Sequence, residues 1–359
     1  MPVKAGSIEL YFGPTELSQP DDLEAVIIDF INGANDILHI AVQELDNENI
    51  ARAVINTRQR GVTVVLVMEF DYLTADEPPS DPWQPFSGDS GNEPNRRIYN
   101  AMLRAGVDVR TDINPKIFHQ KFIVRDPGGP KAALLTGSAN FTVTDTHKNL
   151  NHVVIIHGKK AAEVYEVEFT ELETGNFGQF RSRFYPAPKE MSVSGIRIRI
   201  LFAPDHSPEM EIMKQMLKAK SQIDFAIFTF SQSSGIDDTM VTLQKSGIKI
   251  RGIFDKGQGN QQWASTRILQ SNKIKVYLAE KDPKLRKLHH KLMVIDKNTI
   301  IAGSFNYTDP ANALNDENII VIGDTEETDQ TAIANQRILA SHANDMIAKM
   351  INDFGVEVV

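Results

Sequence analysis

The chain has 359 residues, of which 41% are hydrophobic and 24% charged, a globular profile with room for one large domain or two ordinary ones. Cysteine is absent, which excludes disulfides and thiolate metal sites, and no apolar run is long enough to cross a bilayer. The formal net charge of −9 opposes any polyanion, so a nucleic-acid backbone would have to be gripped by a local basic patch.

The first residues, Met1 to Ser7, lead into a strand and not into an apolar signal core, so a cytoplasmic protein is expected. Ile8 to Pro14 reads as a short strand ending in Phe-Gly-Pro. A helix follows the acidic pair Asp21-Asp22, with Leu23, Val26, Ile27, Phe30 and Ile31 at helical spacing. Ile37 to Val42 reads as a strand, then a helix ends at Gly61, and Val62 to Met68 is the next strand. The same order returns later. Ile198 to Pro204 ends in Phe-Ala-Pro, Ile212, Met213, Met216 and Leu217 mark a helix, and Ile223 to Phe228 is a strand. A helix then stops at Gly247, and Ile248 to Phe254 follows. The chain is therefore an internal duplication. Alternating strands and helices predict two α/β lobes, each with a mostly parallel sheet covered on its faces. The expected boundaries are 1–178 and 195–359, with the polar, Pro-containing stretch Gly175 to Gly195 as linker.

The first half is longer between Gly61 and His119 than the second is between Gly247 and His289. The extra residues fall in the Pro-rich, acidic stretch Thr74 to Asn95, either a binding loop or a solvated insertion. Trp83 and Phe86 can stack on a base or an acyl chain there, or pin the loop to its own lobe. Near the C-terminus, Asp329 to Phe354 is amphipathic, a helix for packing on its own domain or for an oligomer contact.

Chemistry concentrates at one place in each repeat. The first half reads His119-Gln120-Lys121 with Asp126 five residues beyond the lysine, then Gly137-Ser138-Ala139-Asn140. The second reads His289-His290-Lys291 with Asp296, then Gly303-Ser304-Phe305-Asn306. Residues two apart on a strand share a face, so each His and Lys point the same way. The Gly-Ser turn after the next strand can bring the Asn amide beside them. A cation and amide donors stabilise charge on a phosphodiester's non-bridging oxygens. One imidazole can attack phosphorus. A second, protonated one can serve the leaving oxygen and then the water. One such motif is a weak signal, and two at equivalent places in a repeat are a strong one. Asp126 and Asp296, with Ser138 and Ser304, are expected to orient or stabilise. The remaining histidines, His39, His147, His152, His157, His206, His290 and His342, show no ligand spacing, and neither a metal nor a cofactor is expected.

At these residues the chain resembles the phospholipase D superfamily, nuclease-like members in particular. The resemblance implies two α/β/α lobes related by pseudo-two-fold symmetry, with one active site at their interface. It implies a metal-independent phosphohistidine mechanism with His119 and His289 as the catalytic pair. Lys121, Lys291, Asn140 and Asn306 would bind the phosphate. One chain would hold a whole site, so a monomer suffices. It also implies that Glu317 orients the histidine of its own motif, His289; the first half has Asn151 in that place. A carboxylate raises an imidazole's pKa and an amide does not. His289 is thus expected as the general acid and His119 as the nucleophile, and Asp145 or another acid can stand in for the missing Glu.

Three readings of the substrate follow. The first is a nuclease acting on DNA or RNA, with Lys281, Lys284, Arg286 and Lys287 forming a basic funnel, or simply a solvated loop. Nuclease-type relatives can work beside a helicase- or translocase-type partner. The second is a phospholipase D or transphosphatidylase acting on phospholipid headgroups. The third is a catalytically weak scaffold or binding module, which the intact motifs argue against and Asn151 keeps open.

Overall fold

The computed structural model describes residues 2–74, 91–180 and 185–359. Each half folds around a nine-stranded sheet, the first built from eight of its own strands and one short strand of the second half. The first sheet runs in the order Val3–Ala5, Ile8–Gly13, Asn149–His157, Ala133–Gly137, Lys121–Arg125, Ile37–Val42, Thr63–Met68, Asp108–Thr111. The second repeats that order from Met191–Val193 and Ile196–Ala203 through Glu317–Ile322, Thr299–Gly303, Lys291–Ile295 and Gln222–Ile227 to Lys249–Asp255, Lys275–Ala279 and Gly355–Glu357.

The duplication and the α/β lobes are as the sequence predicts, but the sheets are mixed and not mostly parallel. Among the described strands of the first half, the run from Ile37–Val42 through Thr63–Met68 to Asp108–Thr111 is parallel and the rest pair antiparallel with one another. The helices Glu48–Gln59 and Glu93–Arg104 return the chain between those strands. The motif strands follow one another through connections with no crossover, and such successive strands pair antiparallel.

Local sequence explains the helix starts. Asp22 caps Leu23–Asn32 by accepting from the Ala25 amide, and Asn47 caps Glu48–Gln59. Thr142 and Thr308 cap the short helices Val143–His147 and Asp309–Ala313 that follow the two Gly-Ser turns. Asp126 and Asp296 sit at positive φ just after the motif strands. Asp126 accepts from the amides of Asn35, Asp36 and Ile37, and Asp296 from those of Lys220, Ser221 and Gln222. Burial lifts the Asp126 carboxyl, but these amides more than offset it and hold its pKa below the ordinary value. Both aspartates therefore pin the loop that enters the central strand, far from proton transfer.

Three apolar cores hold the layers. One lies on the outer face of each sheet. The third is shared: Phe122 and Tyr165 of the first lobe join Phe202, Leu292 and Ile347 of the second in one buried cluster. The helix Lys159–Glu173 and the C-terminal helix Gln330–Phe354 fill this middle layer, with Tyr165 edge-on to Phe202 at 5.0 Å. The C-terminal helix buries Leu339, Ile347 and Met350 and leaves Ile338 exposed. Its apolar stripe thus packs within the chain. Each fully buried Leu, Ile or Phe contributes ~1.5–3 kcal/mol, so the lobes are docked by a core and not by a hinge. The insertion predicted at Thr74 to Asn95 lies mostly outside the described residues, as do Trp83 and Phe86; Glu93–Arg104 beyond it is a helix.

Candidate active site

The chain crosses between lobes at the motif histidines. Lys287–Leu288, from the second half, adds to the first sheet beside Asn149 and Leu150. Reciprocally, Phe118 bridges Asp316. The His119 amide donates to the Asp316 carbonyl at 3.0 Å, and the His289 amide to the Leu150 carbonyl at 2.9 Å. The residue after each of those carbonyls is Glu317 or Asn151. Each histidine is therefore delivered to the side chain of the opposite lobe.

This corrects the expected pairing. Glu317 does not orient His289; His119 Nδ1 lies 2.7 Å from Glu317 Oε2. His289 Nδ1 lies 3.1 Å from Asn151 Oδ1 and 3.6 Å from Asp145 Oδ2. The repeat alignment placed Glu317 opposite Asn151 correctly but gave no sign that the strands cross.

The tautomers follow from the hydrogen bonds. Ser304 Oγ accepts the Asn318 amide and donates to Glu317 Oε2 at 2.6 Å. Oε2 is then an acceptor, and His119 donates its Nδ1–H. In the first lobe Ser138 Oγ accepts the His152 amide and donates to Asn151 Oδ1 at 2.8 Å, while Asn151 Nδ2 donates to the Asp145 carbonyl. That fixes the Asn151 amide and makes His289 an Nδ1–H donor too. Both rings keep Nε2 unprotonated, and both line one cavity of about 1060 Å³ together with Asn140 and Asn306. The glycines of the turns allow the close approach. A Cβ on Gly137 would fall 2.3 Å from the His152 carbonyl, and one on Gly303 2.3 Å from that of Asn318.

Lys121 and Lys291 lie beneath the rings, each bonded to the carbonyl of its own motif histidine. Lys121 also donates to Gln43 Oε1, whereas Lys291 sits 5.1 Å from the Phe228 ring centroid. Burial lowers the Lys121 pKa to about 8, and burial with Lys121 beside it lowers that of Lys291, in both cases against the pull of Asp145 and Glu317. Burial and the two lysines hold both histidines well below the ordinary imidazole value. Burial pushes the Glu317 carboxyl up, with Lys121, Ser304 and Lys291 pulling against it.

Sequence reasoning placed His119, Lys121, Asn140, His289, Lys291, Asn306 and Glu317, and the structure brings them to one point. It missed the layer behind. Gln120 Oε1 accepts from Asn318 Nδ2, and His290 Nδ1 lies 3.0 Å from His152 Nδ1. These are the residues adjacent to the histidine and to its partner in each half, so the same crossing repeats one step deeper. It also missed Glu69 and Asp255, which accept the amides of Phe118 and Leu288 just before the histidines. Both occupy equivalent places at the ends of repeated strands, a signal the duplication carries. Of the four basic residues before His289, Arg286 and Lys287 line the cavity and Lys281 and Lys284 do not.

The cavity walls differ. The first lobe presents Glu44 and Asp46 where the second presents Thr229 and Ser231, with Trp263 and Gln258 nearby. Burial, with Asp46 and Asp145 adding, raises the Glu44 pKa to about 7.

A family model described as "Cardiolipin synthase, PLD-like domain" matches residues 27–173 and 212–338. A phospholipase D of Rickettsia bellii (strain RML369-C) is 29% identical over 166 residues, 45% of this chain and 81% of that protein. A mitochondrial cardiolipin hydrolase of Mus musculus is 30% identical over 115 residues, 32% of this chain and 50% of that protein. Among solved structures, the phosphatidylserine synthase of Haemophilus influenzae Rd KW20 superposes with a TM-score of 0.70 at 13% identity, over 100% of this chain and 88% of that one. That last likeness concerns the fold. With the family model matched once in each half, around each histidine motif, the chain belongs to the phospholipase D superfamily and is a phosphodiesterase of that group.

Proposed function

We propose that the protein cleaves a phosphodiester through a phosphohistidine intermediate, with His119 as nucleophile and His289 as acid and base. The observation that carries this is the pair of imidazoles held through Nδ1 by opposite lobes, with Nε2 unprotonated, lining one cavity, with Lys121 and Lys291 buried behind them. Nε2 of His119 attacks phosphorus, and the alkoxide leaves with a proton from His289 once the anionic substrate has raised its pKa. Phosphorylation at Nε2 makes the His119 ring cationic, and Glu317 on Nδ1 offsets that charge. This proposal keeps the order of roles expected from sequence on a different ground: Glu317 serves the nucleophile and not the acid. Lys121, Lys291, Asn140 and Asn306 take the non-bridging oxygens. His289 then deprotonates the water that resolves the intermediate. Positive charge comes from the two lysines, so no step requires a metal.

For the substrate, the acidic wall supports a lipid-type diester ahead of a nucleic acid. Glu44 and Asp46 repel a polyanionic strand and favour a headgroup carrying an ammonium or hydroxyls. The relatives named phospholipase D and cardiolipin hydrolase point the same way. A phospholipid-type phosphodiester is therefore placed first. Nucleic acid comes second, favoured by Arg286, Lys287 and Trp263 at the cavity. Among the described residues no helix is long and apolar enough to cross a membrane. The test is turnover, in chelator, of phosphatidylcholine, phosphatidylethanolamine and cardiolipin vesicles, single-stranded and duplex DNA, and RNA, with His119→Ala as blank. Lipid turnover is expected. Turnover of nucleic acid alone would overturn the lipid reading, and no turnover on any substrate would overturn the enzyme reading.

A further inference from the structure

We infer that Asp145 is the positioning carboxylate of His289, taking over from the neighbouring helix the charge that Asn151 lacks. Thr142 and Thr308 cap equivalent helices, each accepting from the amide three residues on, which belongs to Asp145 in the first half and Ala311 in the second. Nine residues after each cap stands Asn151 or Glu317. The two halves therefore trade places: the second carries its carboxylate at 317 and alanine at 311, and the first carries amide at 151 and carboxylate at 145. Each motif histidine ends up facing one carboxylate, supplied by the opposite lobe.

The geometry divides the task in two. Asn151 Oδ1 takes the His289 Nδ1–H at 3.1 Å and fixes the ring. Asp145 Oδ2, 3.6 Å from the same nitrogen, is too far for a good hydrogen bond and close enough to act by charge. Asp145 is itself held, with Oδ2 accepting the Asn140 amide at 2.7 Å and Oδ1 accepting from Asn149 Nδ2. It is buried, so its field is weakly screened. The other groups facing His289 are cations or neutral. Lys291 belongs to its own strand, Lys121 and His119 to the opposite motif, and Lys287 to the preceding strand, while the Phe228 ring lies edge-on at 4.8 Å. Glu317 is committed to His119. Glu44 and Asp46 line the same cavity and repel Asp145. Asp145 is thus the carboxylate that stands against four cationic or titrating neighbours and lets His289 hold a proton.

This rests on the proposed acid role of His289, so the test reads the imidazole and not turnover alone. In the full chain with labelled histidine and saturating inorganic phosphate, the His289 ring is titrated by NMR. Asp145→Asn is expected to lower its titration point by about one unit or more. Adding Asn151→Glu, which copies the second half, is expected to restore it. Glu317→Gln, as a control, should move His119 and leave His289 in place. Where lipid turnover is present, kcat should fall with Asp145→Asn, its pH profile should shift, and the double variant should recover. An unchanged His289 titration in Asp145→Asn, with only the melting temperature altered, would make Asp145 a structural acceptor for Asn140 and overturn the inference. A ring that stays neutral in every variant overturns it too. If no substrate turns over, the titration still decides the question.

Discussion

The first lobe follows its Gly-Ser turn with a strand carrying Asn151, the second with a strand carrying Glu317, and each side chain reaches the histidine of the other lobe. Around them the lobes match closely: the serine bonds, the capping threonines, and the carboxylates Glu69 and Asp255 recur in equivalent places. They part where substrate and protons are handled. Gln43 accepts a hydrogen bond from Lys121 where Phe228 faces Lys291, and Glu44 and Asp46 stand opposite Thr229 and Ser231. A duplicated site that cleaves an unsymmetrical diester needs such differences, because one imidazole must attack while the other donates.

The largest way to break this comparison is to make the histidine partners equal. Glu317→Gln should lower kcat by about 10²–10³-fold, since it removes the charge that balances a phosphorylated His119, whereas Asn151→Ala should cost about tenfold. Equal losses in steady-state kinetics would mean that the two histidines are used alike. Next comes the wall. The double change Glu44→Thr and Asp46→Ser copies the second lobe into the first. It should cut the preference for an amine-bearing headgroup over an anionic one about tenfold, read as a ratio of kcat/KM values. A constant ratio would remove the wall from specificity.

The lysines sharpen the picture through pH. Lys121 must be an ammonium to bind phosphate, and burial brings its pKa to about 8. kcat/KM, which reports the free enzyme, should therefore fall as pH rises through about 8. A flat profile to pH 10 would contradict a buried phosphate-binding lysine. The smallest effect concerns stability. Glu44 titrates at about 7 in the folded chain against an ordinary 4.5, so it binds its proton more tightly when folded. Its contribution falls as pH rises from 4.5 through 7. Glu44→Gln should then stabilise by about 1 kcal/mol at pH 8 and leave pH 4.5 unchanged, as measured by denaturant unfolding.

Much of this was legible in the residues. His-x-Lys and Gly-Ser-x-Asn could be read because strand periodicity and a repeat fix which side chains share a face. The C-terminal helix could be read from its apolar stripe, with Leu339, Met346 and Met350 in phase. The crossing could not, because it rests on a two-residue strand, Lys287–Leu288, that exists only by pairing with Asn149 and Leu150 over a hundred residues earlier. No local pattern encodes such a contact. The same holds for His152 and His290, which look like scattered histidines in sequence and meet at the lobe interface. Parallel pairing was overestimated because helix–strand alternation in the first part of each repeat hides the antiparallel hairpins that carry the motifs.

The central claim is that the two histidines, though symmetric in fold, are unequal in task, with His119 carrying the phosphoryl group against Glu317. The direct measurement is covalent trapping: His289→Ala and His119→Ala are each quenched with a substrate labelled at phosphorus. An acid-labile phosphohistidine at His119 in His289→Ala, and none in His119→Ala, is the predicted result. Label retained at His289 in His119→Ala would contradict it.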